Sequence, residues 1–276
     1  ARAKERGIPV FSYIPPSAWA WRKGRAKSCA ALADEIVAIF PHELPPYEAV
    51  GANISFVGNP LIDTVHAEMG EEEVRSRFAI GVDDVPILLM PGSRREEIER
   101  LLPPMLGAAE LLAARDAARR FFLPVAGGVD EERIRAHLAA SSVEVMLTHD
   151  ARYALMGIAR AAIAASGTVI MEAAIMGLPA VVLYRMSALS YLVGRLLVDV
   201  PRFSLPNILV GETFETELLQ DAVQPERIAE AMERIIADGT ERDYVTERLA
   251  RAVALLGEPH AARRVAEKIL ALGKHA

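Results

Sequence analysis

The chain has 276 residues, 52% hydrophobic and 25% charged, with a formal net charge of −6 and one cysteine. A disordered chain is excluded, because this much apolar surface supports a packed core. So is a disulfide scaffold, since Cys29 has no partner, and a reducing compartment is favoured. The acidic balance argues against nucleic acid as the principal partner, because phosphate binding draws on a basic face.

In chain order, Arg2–Arg6 reads as the end of an amphipathic helix stopped by Gly7. With no initiator Met, the chain is expected to begin in mid-domain. Ile8–Ile14, Glu35–Phe40 and Ile54–Val57 read as short buried strands, with helices over Arg25–Ala33 and Glu43–Val50. The turn Gly58-Asn59-Pro60 and the acidic run Glu71–Glu73 mark a boundary. Beyond it, strands are expected at Ile87–Met90, Phe121–Ala126, Val143–Leu147, Ala161–Ala165 and Ala180–Tyr184. Helices are expected over Glu96–Leu112 and Glu131–Ala140, from near Arg152, Val169 and Ala188, and throughout the chain after Pro225.

Apolar runs of four to six residues suit parallel strands buried on both faces, with helices as crossovers. The expectation is a doubly wound α/β architecture of two Rossmann-like domains, the first incomplete. Residues 1–60 are read as the remaining part of the first domain, 61–255 as the second, and 256–276 as a C-terminal helix that crosses back to the first domain or to a partner subunit. No stretch reads as a membrane span: Ala161–Tyr184 is interrupted by Glu172, and Leu189–Val200 by Arg195.

Three segments carry candidate chemistry. In Ala165-Ser166-Gly167-Thr168 a small-residue turn joins a strand to a helix, where free N–H groups and the helix dipole favour a diphosphate. Glu172, just over one turn later, is placed to accept both hydroxyls of a ribose. The competing reading is a plain Ser/Thr cap followed by an exposed Glu.

In Pro91-Gly92-Ser93-Arg94-Arg95-Glu96-Glu97 a strand runs into a Gly-Ser turn, and Arg94 could clamp a phosphate in bidentate fashion. Alternatively Ser93 caps the helix and Arg94 pairs with Glu96 or Glu97 at the surface. The third segment sets Trp19 and Trp21 beside Arg22, Lys23, Arg25 and Lys27. It reads either as a lip for a sugar, an anionic head group or a membrane surface, or as one packed Trp beside a solvated face. The histidines show no metal-ligand spacing, and only His149-Asp150, at a strand end, stays of interest.

Together these segments resemble the lipid-A-disaccharide synthase family, glycosyltransferases of the GT-B type. The matching stretches, in the family's order, are Tyr13–Arg22, Val57-Gly58-Asn59-Pro60-Leu61, Pro91-Gly92-Ser93-Arg94, Ser166–Glu172, Ser204-Leu205-Pro206-Asn207-Ile208-Leu209 and, more loosely, Glu217-Leu218-Leu219-Gln220. Two stretches depart from the family pattern: Pro15-Pro16-Ser17-Ala18 replaces Ser-Pro-Gln-Val, and Asn59 replaces a His.

The resemblance implies transfer from UDP-2,3-diacylglucosamine to 2,3-diacylglucosamine 1-phosphate, giving a β-1,6 disaccharide and UDP, with no metal or other cofactor. It implies diphosphate contacts at Arg94, Ser166, Gly167 and Thr168, substrate contacts at Gly92 and Ser93, a ribose contact at Glu172, and donor-site polar groups at Asn207 and Gln220. The catalytic carboxylate it implies lies upstream of Ala1, so no catalytic residue is assigned. It places the protein in the cytoplasm, peripheral on the inner face of the cytoplasmic membrane, and leaves a homodimer open. The alternatives are a UDP-sugar 2-epimerase of the same fold, against which Ala165 and Thr168 stand in place of that family's Asp and Gly, and a catalytically incomplete nucleotide-binding fragment.

Overall fold

A computed structural model describes residues 2–18, 24–187 and 201–274. The expected helix near Ala188 and the segment Trp19–Lys23 lie outside the described residues. The chain divides into two compact units. Among the described residues one takes 2–18, 24–64, 201 and 254–274, and the other 65–187 and 202–253.

The first unit holds three parallel strands, β1 (Phe11–Tyr13), β2 (Glu35–Ala38) and β3 (Ile54–Phe56), in the order β1-β2-β3. Ile36 packs with Ala18, Ala26 and Tyr47 in a small core. The strand expected over Ile8–Ile14 contracts to Phe11–Tyr13 in its C-terminal half, and Ile14 turns out of it at φ 58°.

The C-terminal helix Ala261–Lys274 belongs to this unit. The Asp63 carboxylate accepts the His260 and Ala261 N–H groups at 2.6 and 3.1 Å, satisfying donors that the helix itself cannot. Arg264 Nε donates to the Val57 carbonyl at 2.7 Å, and Lys268 Nζ meets Glu35 at 2.6 Å. Asn59 is buried, donating to the Ile39 carbonyl and accepting from Leu61 N–H, both at 2.9 Å.

The second unit holds six parallel strands: β4 (Val85–Met90), β5 (Arg119–Pro124), β6 (Val145–Thr148), β7 (Ala161–Ala165), β8 (Ala180–Tyr184) and β9 (Glu217–Leu219). Their order is β6-β5-β4-β7-β8-β9. Counted within the sheet this is 3-2-1-4-5-6, the doubly wound order. β4 and β7 pair in register from Ile87↔Ala161 to Met90↔Ala164. Their side chains are almost wholly buried, because helices cover both faces and leave no solvent side for polar residues.

The long helix Arg95–Arg115 has Glu96 and Glu97 in its first turn and Arg115 in its last, in keeping with its dipole. The helix Pro225–Ile236 is tied to this region by Glu233, whose carboxylate takes both terminal nitrogens of Arg119 at 2.7 and 2.8 Å and Arg115 at 3.1 Å.

In a doubly wound sheet the chain leaves its first strand to one side and later resumes on the other. The loops at those carboxyl ends diverge and open a crevice. Here that point lies between β4 and β7, so both Pro91–Arg94 and Ser166–Thr168 emerge beside it.

Candidate functional site

A cavity of about 280 Å³ opens at this divergence. Gly92, Ser93 and Arg94 line it from the β4 side, and Ser166, Gly167, Thr168 and Glu172 from the β7 side. Pro124 and Ala126, Arg152 and Glu97 complete much of the wall.

The helix Thr168–Ile175 starts at the cavity. Its N-cap is Gly167, and no side chain caps it. The Ser166 hydroxyl donates instead to the Phe203 carbonyl at 2.8 Å, so the capping reading of Ser166 does not describe the structure. The first N–H groups of a helix have no acceptor within it, and here they start at the cavity with its positive dipole end.

Glu172 is 9% exposed. Burial pushes its carboxyl above the usual range, opposed by the nearby Arg152 cation. Arg152 lies 3.2 Å from Glu172 Oε2, close enough to pair, but is not aligned for a hydrogen bond, and that oxygen has no hydrogen-bond partner. Arg152 donates to Tyr153 Oη at 2.7 Å and stacks on its ring. It follows Ala151, which holds an unusual left-handed φ of 57° ahead of the helix Arg152–Ile158. No motif in the sequence singles out Arg152.

Arg94 is 83% exposed on its side chain and pairs with Glu97 at 2.9 Å. Glu97 also reaches back to the Arg94 N–H at 3.3 Å, the return half of a capping box. The surface-pair reading thus describes Arg94 as it stands, while its guanidinium remains at the cavity wall.

Asn207 and Gln220 are not among the residues that line the cavity. The Asn207 amide is enclosed and fully used: Oδ1 accepts the Phe214 and Glu215 N–H groups, and Nδ2 donates to the Glu215 carbonyl and Glu217 Oε1. Gln220 forms a two-point pair with Met186, accepting its N–H at 2.7 Å and donating to its carbonyl at 3.2 Å. Their polar groups are bonded to their own chain. Of the remaining pair, His149 meets Glu131 at 3.3 Å and Asp150 meets Arg77. Gly128 helps line a second cavity of about 300 Å³ with Ser93, Ile98 and Arg133.

The arrangement offers a positive helix end, two arginines and a buried carboxylate short of donors, all around one opening. That suits a ligand with an anionic centre and a vicinal diol, as a nucleoside diphosphate has.

Among solved structures, the UDP-GlcNAc 2-epimerase from Neisseria meningitidis bound to UDP-GlcNAc matches with a TM-score of 0.66 and 17% identity, over 97% of this chain and 71% of that one. The calicheamicin glycosyltransferase CalG4 matches with a TM-score of 0.55 and 20% identity, over 89% and 54%. At these identities the likeness shows the fold alone. Sequence relatives are much nearer. Proteins named lipid-A-disaccharide synthase from Syntrophus aciditrophicus and Geobacter metallireducens are 42% and 41% identical, each over 99% of this chain and 71% of the relative. They favour the synthase over the epimerase reading. With the lipid-A-disaccharide synthetase family model matching residues 1–270, the chain belongs to that family of glycosyltransferases in lipid A biosynthesis.

Proposed function

We propose that the cavity between the β4 and β7 loops binds the UDP portion of UDP-2,3-diacylglucosamine, the donor in a transfer to 2,3-diacylglucosamine 1-phosphate. The observation that carries this reading is Glu172: a buried carboxylate with a partnerless oxygen beside a helix N-terminus at a sheet's divergence point. A ribose supplies two hydroxyl donors to such a group. The diphosphate then lies against the Gly167–Val169 backbone, with Arg94 and Arg152 as cations.

In the transfer, the oxygen of the acceptor's 6-hydroxyl bonds to the donor's anomeric carbon, and its proton passes to the catalytic carboxylate that the family resemblance implies. The bond from that carbon to the diphosphate oxygen breaks, and UDP leaves with the electron pair. Charge grows on the leaving oxygen, where the helix end and the two arginines stabilise it.

An acylated acceptor also calls for contact with a membrane surface. Among the described residues no helix is long and apolar enough to cross one. We assign the contact to Trp19–Lys23 and Leu189–Val200 from their aromatic, basic and apolar sequence; both lie outside the described residues.

Calorimetric titration with UDP tests the donor site. The wild-type chain binds, and Glu172→Ala binds about tenfold or more weakly, as expected for loss of a hydrogen bond to a charged group. Equal affinities with unchanged melting would remove Glu172 from the site.

A further inference from the structure

The Ser166 hydroxyl is turned from the cavity it lines, toward the Phe203 carbonyl. Phe203 and the following Ser204 are held in turn by two carboxylates two residues apart. Glu217 Oε2 accepts the Phe203 N–H at 3.0 Å, while Oε1 accepts the Ser204 N–H at 2.9 Å and Asn207 Nδ2 at 2.8 Å. Glu215 Oε2 accepts the Ser204 hydroxyl at 2.7 Å. Ser204, Asn207 and Glu215 are essentially unexposed.

The two carboxylates are served unequally by donors. Glu217 receives three N–H donors. Burial pushes the Glu215 carboxyl up to about 8, with the neighbouring Glu217 adding to it and the hydrogen bonds from the Ser204 hydroxyl and the Ala180 backbone opposing it.

We propose that Glu217 is a positioning residue for the donor site: its carboxylate fixes Phe203 and Ser204, the Phe203 carbonyl fixes Ser166, and Ser166 holds the turn that presents Gly167 and Thr168 to the diphosphate. The inference rests on the reading of that turn as the diphosphate site. Glu217 lies outside the cavity lining, so any effect on UDP travels through this chain of bonds. An amide at position 217 cannot serve all three donors: its NH₂ faces an N–H, and at least one bond is lost.

A double-mutant cycle on the 276-residue chain tests this, with UDP affinity by calorimetry and urea midpoints for stability. Ser166→Ala and Glu217→Gln are each expected to weaken UDP about fivefold, as for loss of one net hydrogen bond. The double variant is expected to stay near fivefold, because both changes cut the same link. A double variant weakened by the product of the two effects, or Glu217→Gln with wild-type affinity, overturns the proposal while leaving the donor site standing. A wild-type chain that binds no UDP overturns both. Should Glu217→Gln fail to fold, Glu217→Asp, which keeps the charge but withdraws it by one methylene, takes its place with the same expected outcomes.

Discussion

Arg152 stands 3.2 Å from Glu172 Oε2 without forming an aligned hydrogen bond, so the two charges of the cavity are paired but not consumed by each other. The guanidinium lowers the cost of keeping the carboxylate ionised, and the carboxylate keeps a lone pair for a ligand. Burial is the larger influence and leaves the Glu172 carboxyl raised above 4.5. Only the ionised form accepts both ribose hydroxyls, so affinity falls as pH drops through that raised value. Arg152→Ala removes the opposing influence and moves the fall to higher pH. The ratio of wild-type to Arg152→Ala affinity for UDP is expected to widen from pH 8 to pH 5. A constant ratio would show that Arg152 does not act through Glu172. Because UDP's own phosphate titrates in this range, the ratio is the quantity to follow, not either curve alone.

Glu172→Gln separates stability from binding. A group whose folded pKa is raised favours the folded state most when protonated, below its unfolded value, and loses that contribution as pH rises through the folded value. Ionised Glu172 therefore burdens the ligand-free fold at pH 7, and an amide does not. The variant is expected to melt at or above the wild-type temperature at pH 7, with the difference closing near pH 4, yet to bind UDP about tenfold more weakly. A lower melting temperature at pH 7 would mean that the carboxylate supports the fold.

The sheet was the most legible part of the sequence. Ile87–Met90, Ala161–Ala165 and Ala180–Tyr184 are buried on both faces, and uninterrupted apolar runs are what such strands require. β9 escaped because an edge strand of three residues beginning with Glu217 has no such run. The helix Leu205–Val210 escaped because six residues do not complete two turns of a periodic pattern. Within the cavity, Gly92–Arg94 and Ser166–Glu172 could be read because a strand-turn-helix sequence states its own geometry. Arg152 could not, since a left-handed Ala151 and a packed Tyr153 aim it. Asn207 shows the converse: a polar residue in a motif does not reveal whether its amide faces a ligand or its own backbone.

Arg94 distinguishes a charge from a shape. Its ion pair with Glu97 is exposed, and such pairs contribute little to stability. Arg94→Ala and Arg94→Lys are both expected to unfold at the wild-type urea concentration. A planar fork that clamps a diphosphate is not replaced by an ammonium, so both variants should lose UDP affinity to a similar degree. A Lys variant with wild-type affinity would reduce Arg94 to a general positive charge.

Glu233 reports on the scaffold behind the site. Its hydrogen bonds from Arg119, then those from Arg115, hold its carboxyl below the usual range. A lowered folded pKa contributes stability above the unfolded value and loses it as pH falls through the folded one. Glu233→Gln is expected to lower stability by about 1–2 kcal/mol at pH 7, with the gap shrinking as the pH drops below 4. Urea midpoints at the two pH values measure it, and a gap independent of pH would assign the loss to packing.

Two glycines at the cavity should fail in opposite ways. Gly92 has φ +101°, and a Cβ there would run into the Glu97 carboxylate. Turning the carboxylate aside does not clear the space, because Glu97 Cβ would stand 3.2 Å away as well. Gly92→Ala is therefore expected to cost about 1–3 kcal/mol of stability through strain and the displaced Glu97. Gly167 has an extended backbone at φ 168°, and a Cβ there would meet nothing within 4 Å. Gly167→Ala should keep or slightly raise stability, since it narrows the unfolded ensemble without native strain. Its methyl group would nevertheless occupy space at the cavity where a diphosphate must approach the backbone, so UDP affinity should fall by tenfold or more, an effect of about 1.4 kcal/mol upward. Urea unfolding and UDP calorimetry on the two variants give four numbers. If Gly167→Ala binds UDP like wild type, the diphosphate does not lie against this turn.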